Sequence, residues 1–137
     1  MIALPSVAAV ELTYRCNHRC LFCSCPWESD VIARGEELST EQWIQGLREI
    51  QRRGTTIVSF TGGEATLRPD LLELIDAAIF LDLHPCLISN GRLLDENMLQ
   101  ALHARNVSLS ISVPGIETFE QQTGHDGAAH DLSRYPA

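Results

Sequence analysis

Three cysteines in one short loop are the residues of this chain best suited to chemistry. Cys16, Cys20 and Cys23 follow one another at offsets of four and three in a sequence of 137 residues. Three thiolates can hold three corners of a cubane iron–sulfur cluster and leave the fourth iron open to a ligand. A zinc site completed by His18 or Cys25 is the alternative, because structural zinc is held by four protein ligands.

A second segment whose residues could bind a ligand is Ser59-Phe60-Thr61-Gly62-Gly63-Glu64. Gly62 and Gly63 lack a Cβ, so the backbone there can approach a ligand closely. The carboxylate of Glu64 can accept a charge-assisted hydrogen bond from an ammonium group. An ordinary tight turn with a solvated glutamate is the alternative, and the position of the segment after a predicted strand, downstream of the cysteine loop, favours a ligand site.

Together the two segments resemble the signatures of the radical S-adenosylmethionine (radical SAM) enzymes, and the resemblance runs from roughly Val7 to the C-terminus. It rests on the cysteine spacing, on the aromatic Phe22 directly before the last cysteine, and on the Gly-Gly-Glu segment. It implies a 4Fe–4S cluster bound by the three cysteines and SAM bound beside it. It further implies that Phe22 packs near the adenine and that Gly62, Gly63 and Glu64 hold the methionine amino group.

Three more residues take roles from this resemblance. Asn90, in Ser89-Asn90-Gly91, is similar to the Thr-Asn-Gly that follows the third strand of many members. Ser110 and Ser112 match the fourth-strand polar residues that contact the ribose or carboxylate of SAM. A plain turn at Asn90 and a lining role for the two serines are the alternatives.

The resemblance also implies a reaction. A reductant such as flavodoxin or ferredoxin supplies one electron, SAM is cleaved to a 5′-deoxyadenosyl radical, and the radical abstracts hydrogen from a substrate. The stretch from Ser112 to Gly127 is similar to the SPASM-type branch, which includes peptide maturases and enzymes of cofactor biosynthesis. We therefore expect an oxidoreductase acting on a peptide, with cofactor biosynthesis or a non-catalytic zinc- or iron–sulfur-binding module as alternatives.

The sequence around these residues predicts four strand–helix repeats, with strands over 7–14, 55–60, 85–89 and 107–113. Ser39 and Gln42 predict a capping box before the first helix, and Asp70 and Asp95 are expected to cap the next two. Alternating strands and helices predict an α/β fold with a parallel sheet. In the last strand the apolar residues lie on one face, and Ser108, Ser110 and Ser112 lie on the other, where they would line an open interior. A half-exposed antiparallel strand gives the same pattern.

The resemblance implies a (β/α)6 radical SAM barrel, of which residues 1–137 are the N-terminal part, about the first four βα units, with the cluster loop at 15–38. Six units need roughly 190 residues if eight take about 250. We therefore expect an incomplete barrel, a fragment or truncated chain that needs a partner or a missing C-terminal part. Cys86 is expected to be a small buried residue of the third strand.

Composition excludes several classes of protein. The net charge is −8, which disfavours a nucleic-acid surface. All ten basic residues are arginine, so a Walker phosphate loop and a Schiff-base lysine are excluded. The sequence contains no apolar run long enough to cross a membrane and no signal-peptide pattern, and clustered cysteines suit a reducing compartment, so a cytoplasmic location is expected.

Overall fold

The computed structural model of the chain describes residues 5–23, 37–115 and 118–123, in which strands and helices alternate. The elements are β1 (Val7–Thr13), α1 (Thr40–Arg52), β2 (Ile57–Gly62), a short 3-10 helix (Ala65–Leu67), α2 (Leu71–Phe80), β3 (His84–Ser89), α3 (Glu96–Ala104), β4 (Ser108–Ile111) and α4 (Phe119–Thr123). The four strands form one sheet in the order β1-β2-β3-β4, and each neighbouring pair is parallel. The predicted α/β fold with a parallel sheet is confirmed. None of the helices in these ranges has the length and apolar character needed to cross a bilayer.

The helices cover one face of the sheet and leave the other face open. Val58, Phe60 and Leu87 are fully buried beneath the helices. On the opposite face the register places Ser59 beside Cys86 and Cys86 beside Ser108, so small side chains form a row across three strands. Cys86 is half-buried in this row, so the prediction of a buried cysteine was wrong. Its position on the open face explains the difference.

The alternation predicted for β4 is confirmed. Leu109 and Ile111 pack against the core, whereas Ser108 and Ser110 are exposed. The parallel pairing of β3 with β4 removes the antiparallel alternative. The strand is shorter than predicted, and Val113, beyond its end, is 37% exposed.

Ser39, Asp70 and Asp95 occupy the predicted N-cap positions, and two of the three make side-chain caps. Ser39 and Gln42 form the predicted capping box, with bonds of 3.3 Å and 2.9 Å, and the carboxylate of Asp95 accepts from the Met98 amide at 2.8 Å. Asp70 occupies the predicted N-cap position of α2, but its side chain makes no capping hydrogen bond. Its carboxylate binds Arg68 at 2.9 Å and 2.7 Å instead, because a guanidinium is a stronger donor than a neutral amide.

Strand β2 begins and ends later than the apolar run predicted. Thr55 and Thr56 precede the ladder, and their hydroxyls donate to the carbonyls of Pro5 and Ser6. Pairing then continues to Gly62, which lies beside Thr13 of β1. The strand therefore carries the first glycine of the Gly-Gly-Glu segment directly to the end of β1.

Arg68 is a buried cation, 8% exposed, that ties three parts of the chain together. It donates to the carbonyls of Leu12 and Leu38, each at 3.2 Å, and to the carboxylate of Asp70. The hydrogen bond from Arg68 lowers the pKa of Asp70 below its usual value. Arg68 thereby fixes the end of β1 against the segments that lead into α1 and α2.

Glu37 extends this arrangement to the cysteine loop. Its carboxylate lies 3.5 Å from Arg68, pairs with Arg15 at 3.0 Å and accepts from the hydroxyl of Thr13. Burial opposes its ionisation, but the hydrogen bonds from Arg15 and Thr13 outweigh burial and lower the pKa of Glu37. Glu37, near the end of the cysteine loop, is therefore bonded to Thr13 and Arg15, which lead into the loop.

Replacing Arg68 by Ala should destabilise the protein by about 3 kcal/mol, because Asp70 and two carbonyl groups lose a buried partner. The matched control is Arg105→Ala, which removes the Arg105–Asp76 pair, where the side chains are 29% and 54% exposed. That change should cost below about 1 kcal/mol. Urea unfolding of both variants measures the difference, and equal losses would contradict a structural role for Arg68.

Candidate cofactor site

The segments that carry the predicted ligands meet at the carboxyl ends of the strands. The cysteine loop follows β1 and the Gly-Gly-Glu segment ends β2. The two are joined by backbone hydrogen bonds, from the Gly63 amide to Thr13 at 2.7 Å and from the Glu64 amide to Arg15 at 2.9 Å. The structure therefore brings the two motifs into direct contact, as a shared cofactor site requires.

Gly62 and Gly63 have a steric reason to be glycine. Gly62 has a φ of +133°, and a Cβ on it would lie 2.2 Å from the carbonyl oxygen of Thr13. A Cβ on Gly63 would lie 2.3 Å from the carbonyl oxygen of Arg15. The absent side chains let β2 lie against the backbone that leads into the cysteine loop. Close approach of a ligand at these glycines stays a prediction.

Glu64 is 1% exposed, and its carboxylate lies among the ends of β2 and β3. Its Oε1 accepts from the Thr66 amide at 3.1 Å, the Thr66 hydroxyl at 2.6 Å and the Ser89 hydroxyl at 2.8 Å. Its Oε2 accepts from the Asn90 amide at 2.7 Å. The carboxylate is thus a cross-link between two strand ends, and Oε2 keeps acceptor capacity for a further donor, since a carboxylate oxygen carries two lone pairs.

Asn90 and Ser112 are connected to the same cross-link. The side-chain amide of Asn90 donates to Asn17 Oδ1 at 2.7 Å and lies 3.9 Å from Cys16 Sγ. The amide of Ser112 donates to the carbonyl of Ser89 at 2.9 Å, so the end of β4 joins the end of β3. Asn90 and Ser112, two of the predicted site residues, therefore lie at the carboxyl ends of the strands.

Phe22 and Ser110 lie further from these contacts. Phe22 is 59% exposed on the cysteine loop. Ser110 is exposed on the open face of β4 and lies beside Ile88 of β3 in the register. Their roles toward SAM stay predictions.

The loop thiols influence one another and their surroundings. Burial raises the pKa of Cys16, and the carboxylate of Glu64 and the thiolate of Cys23 raise it further, against the His18 amide and Arg19. Burial and the other two thiolates raise the pKa of Cys20. Because metals bind the thiolate, iron would compete with protons at this loop.

The donor set fits an iron–sulfur cluster with three thiolate ligands, whereas a structural zinc site needs a fourth protein ligand. Three soft thiol ligands share one partly exposed loop, the set that iron–sulfur clusters use. His18, a candidate fourth zinc ligand, is 2% exposed and its ring packs edge-on against Phe119 at 6.0 Å. Cys25, the other candidate, lies outside the described residues. Within 5–23, 37–115 and 118–123, no three His, Cys, Asp or Glu side chains are already arranged to hold a metal ion.

The two arginines beside the cysteines have structural partners. Arg15 pairs with Glu37, so its charge is partly compensated. Arg19 donates to the carbonyls of Cys16 and His18 at 3.0 Å and 2.9 Å. The loop backbone is also fastened to α4, because the amides of Arg19 and Leu21 donate to the carbonyls of Thr123 and Gln122.

Sequence reasoning missed Asn17, Thr66 and Ser89 as members of the site. Ser89 directly precedes the predicted Asn90, and Thr66 lies two residues after the predicted Glu64, so hydroxyl side chains close to predicted residues were an available signal. Asn17 had no such signal, because its partner Asn90 is far away in sequence.

Comparison with known proteins agrees with the geometry. The family model of the Radical SAM superfamily matches residues 10–127. A PqqA peptide cyclase of Rhodopseudomonas palustris is 37% identical, and the match covers 96% of this chain and 36% of the relative. A PqqA peptide cyclase of Gluconobacter oxydans is 42% identical, and the match covers 72% of this chain and 27% of the relative. A crystal structure of Streptococcus suis SuiB bound to precursor peptide SuiA superposes with a TM-score of 0.77 at 19% identity, over 91% of this chain and 28% of SuiB.

This chain belongs to the Radical SAM superfamily, whose members use a 4Fe–4S cluster and SAM. The likeness to SuiB adds that the chain shares the fold of that part of a solved structure. The chain spans about a third of the length of the curated relatives it matches.

Changing Gly63 to Ala should destabilise the protein by about 2 kcal/mol or more, because the added Cβ meets the backbone of Arg15. Gly46→Ala is the matched control, since nothing lies within 4 Å of a Cβ at that helical position. That variant should gain about 0.5–1 kcal/mol. Thermal unfolding compares them, and a neutral Gly63→Ala would show that contact between the two motifs does not require this glycine.

Proposed function

We propose that this chain contributes to a radical SAM enzyme that modifies a peptide, with a 4Fe–4S cluster held by Cys16, Cys20 and Cys23. The observation that carries the proposal is the pair of backbone hydrogen bonds from Gly63 and Glu64 to Thr13 and Arg15, where β1 ends and the cysteine loop begins. These contacts place three thiols and a buried carboxylate at one end of a parallel sheet. Enzymes built on parallel barrels have their active sites at that end.

When bound, the cluster and SAM would supply a 5′-deoxyadenosyl radical, formed by reductive cleavage of SAM, for the removal of hydrogen from the substrate. The chain's own residues bind and orient. Glu64 Oε2 offers an acceptor to the methionine ammonium, and Asn90, Ser110 and Ser112 offer polar groups to the rest of SAM. Phe22 provides an aromatic surface for the adenine, and a reductant such as flavodoxin or ferredoxin delivers the electron.

A peptide is the substrate class best supported. Two relatives are named PqqA peptide cyclase, and SuiB was solved with a precursor peptide. The open sheet face carries the small residues Ser59, Cys86 and Ser108, which leave space beside the strands. We place the reaction in the cytoplasm, where clustered thiols stay reduced.

Each of the variants Cys16→Ser, Cys20→Ser and Cys23→Ser should abolish cluster binding, because each change removes one of three sulfur ligands. Anaerobic reconstitution followed by iron analysis and electron paramagnetic resonance measures the loss, and added SAM should alter the spectrum of the unchanged protein. Cys86→Ser is the matched control, since Cys86 lies on the sheet rather than in the loop. It should retain the cluster.

The same preparations test turnover with SAM, a reductant and a short peptide encoded beside the gene. Release of 5′-deoxyadenosine with a change in peptide mass is the expected result. Stoichiometric zinc with no iron uptake would contradict the cluster, and deoxyadenosine release without any change in peptide mass would contradict the peptide substrate.

A further inference from the structure

The side-chain amides of Asn17 and Asn90 join the cysteine loop to the end of β3. Asn90 Nδ2 donates to Asn17 Oδ1 at 2.7 Å. Asn17 directly follows Cys16, and Asn90 directly follows β3. Both residues are half-buried, so the bond is partly shielded from water.

The orientation of the Asn90 amide is fixed by its other contacts. Its Oδ1 accepts from the Arg92 amide at 3.0 Å, so the oxygen faces Arg92 and the nitrogen must face Asn17. Its backbone amide donates to the buried carboxylate of Glu64 at 2.7 Å. The contacts with Arg92 and Glu64 fix the position of Asn90, so Asn90 can in turn fix the position of Asn17.

Cys16 lies within reach of this arrangement. Asn90 Nδ2 is 3.9 Å from Cys16 Sγ, and the His18 amide is 3.4 Å from the same sulfur. N–H groups directed at a cluster sulfur stabilise the extra negative charge of the reduced state and so raise its reduction potential. Outer contacts of this kind also orient the ligand itself.

We infer that Asn17 and Asn90 are positioning residues that hold Cys16 at the end of β3 and supply its sulfur with an N–H donor. The part of this inference that concerns a cluster rests on the proposed function, whereas the placement of Cys16 does not. Asn17 lies next to the ligand in the chain, and Asn90 contacts both the Asn17 side chain and the Cys16 sulfur.

Alkylation of the metal-free protein tests the placement. In Asn17→Ala the rate of Cys16 modification, measured by mass spectrometry relative to Cys20, should rise about five-fold, the effect of losing one hydrogen bond on a local opening equilibrium. Asn17→Asp keeps an oxygen that accepts from Asn90 and should stay within about two-fold of the unchanged protein. The exposed Asn97→Ala on α3 is the control, and circular dichroism verifies that every variant is folded.

The reduction potential of the reconstituted cluster tests the donor. Asn90→Ala should lower the potential, and Asn90→Asp, which keeps the shape but replaces the donor by an anion, should lower it further. Asn17→Ala should change it less than either. An unchanged Cys16-to-Cys20 ratio in Asn17→Ala, or an unchanged potential in both Asn90 variants, would overturn the inference. Failure of iron uptake in the unchanged protein would count against the proposed function and would leave the alkylation result standing.

Discussion

The site depends on one buried carboxylate. Glu64 is almost fully removed from water, and an ionised carboxylate in that position is costly unless hydrogen bonds satisfy it. Thr66, Ser89 and Asn90 supply four such bonds. Because Glu64 follows β2 whereas Ser89 and Asn90 lie at the end of β3, the bonds that satisfy the carboxylate also fix these two strand ends relative to each other.

The cysteine loop is positioned by its contacts with this centre. Backbone hydrogen bonds join its start to Gly63 and Glu64, and the Asn17–Asn90 pair joins it to β3. The carbonyls of α4 accept hydrogen bonds from its backbone amides. Arg68 is a buried ion of opposite charge, and its guanidinium is likewise satisfied by hydrogen bonds, to two carbonyls and to Asp70. Two buried, hydrogen-bonded ions, Glu64 and Arg68, thus both contact the backbone around the end of β1, where the cysteine loop begins.

Local patterns in the sequence predicted much of the fold and the location of the site. The capping box at Ser39, the cap at Asp95 and the alternation of β4 depend on residues close together in the chain, and they were predictable. The cysteine spacing and the Gly-Gly-Glu segment are equally local. The strand–helix order then implied that both would meet at one edge of a parallel sheet.

Contacts between distant residues were not predictable in the same way. The capture of Asp70 by Arg68 depends on carbonyls of Leu12 and Leu38 that only the folded chain brings near. The need for glycine at 62 and 63 depends on the register of β1 with β2. The solvated glutamate that was the alternative for this segment is wrong, because Ser89 and Asn90 of the neighbouring strand end bury the carboxylate of Glu64.

Amide hydrogen exchange at Asn90 tests most directly whether Glu64 holds the strand ends together. In the unchanged protein this amide should be protected, and in Glu64→Gln its exchange should be faster by about ten-fold or more, since a bond to a charged acceptor is lost. The exposed Glu73→Gln on α2 should leave the exchange of Asn90 unchanged. Equal protection of Asn90 in the unchanged protein and in Glu64→Gln would contradict the account.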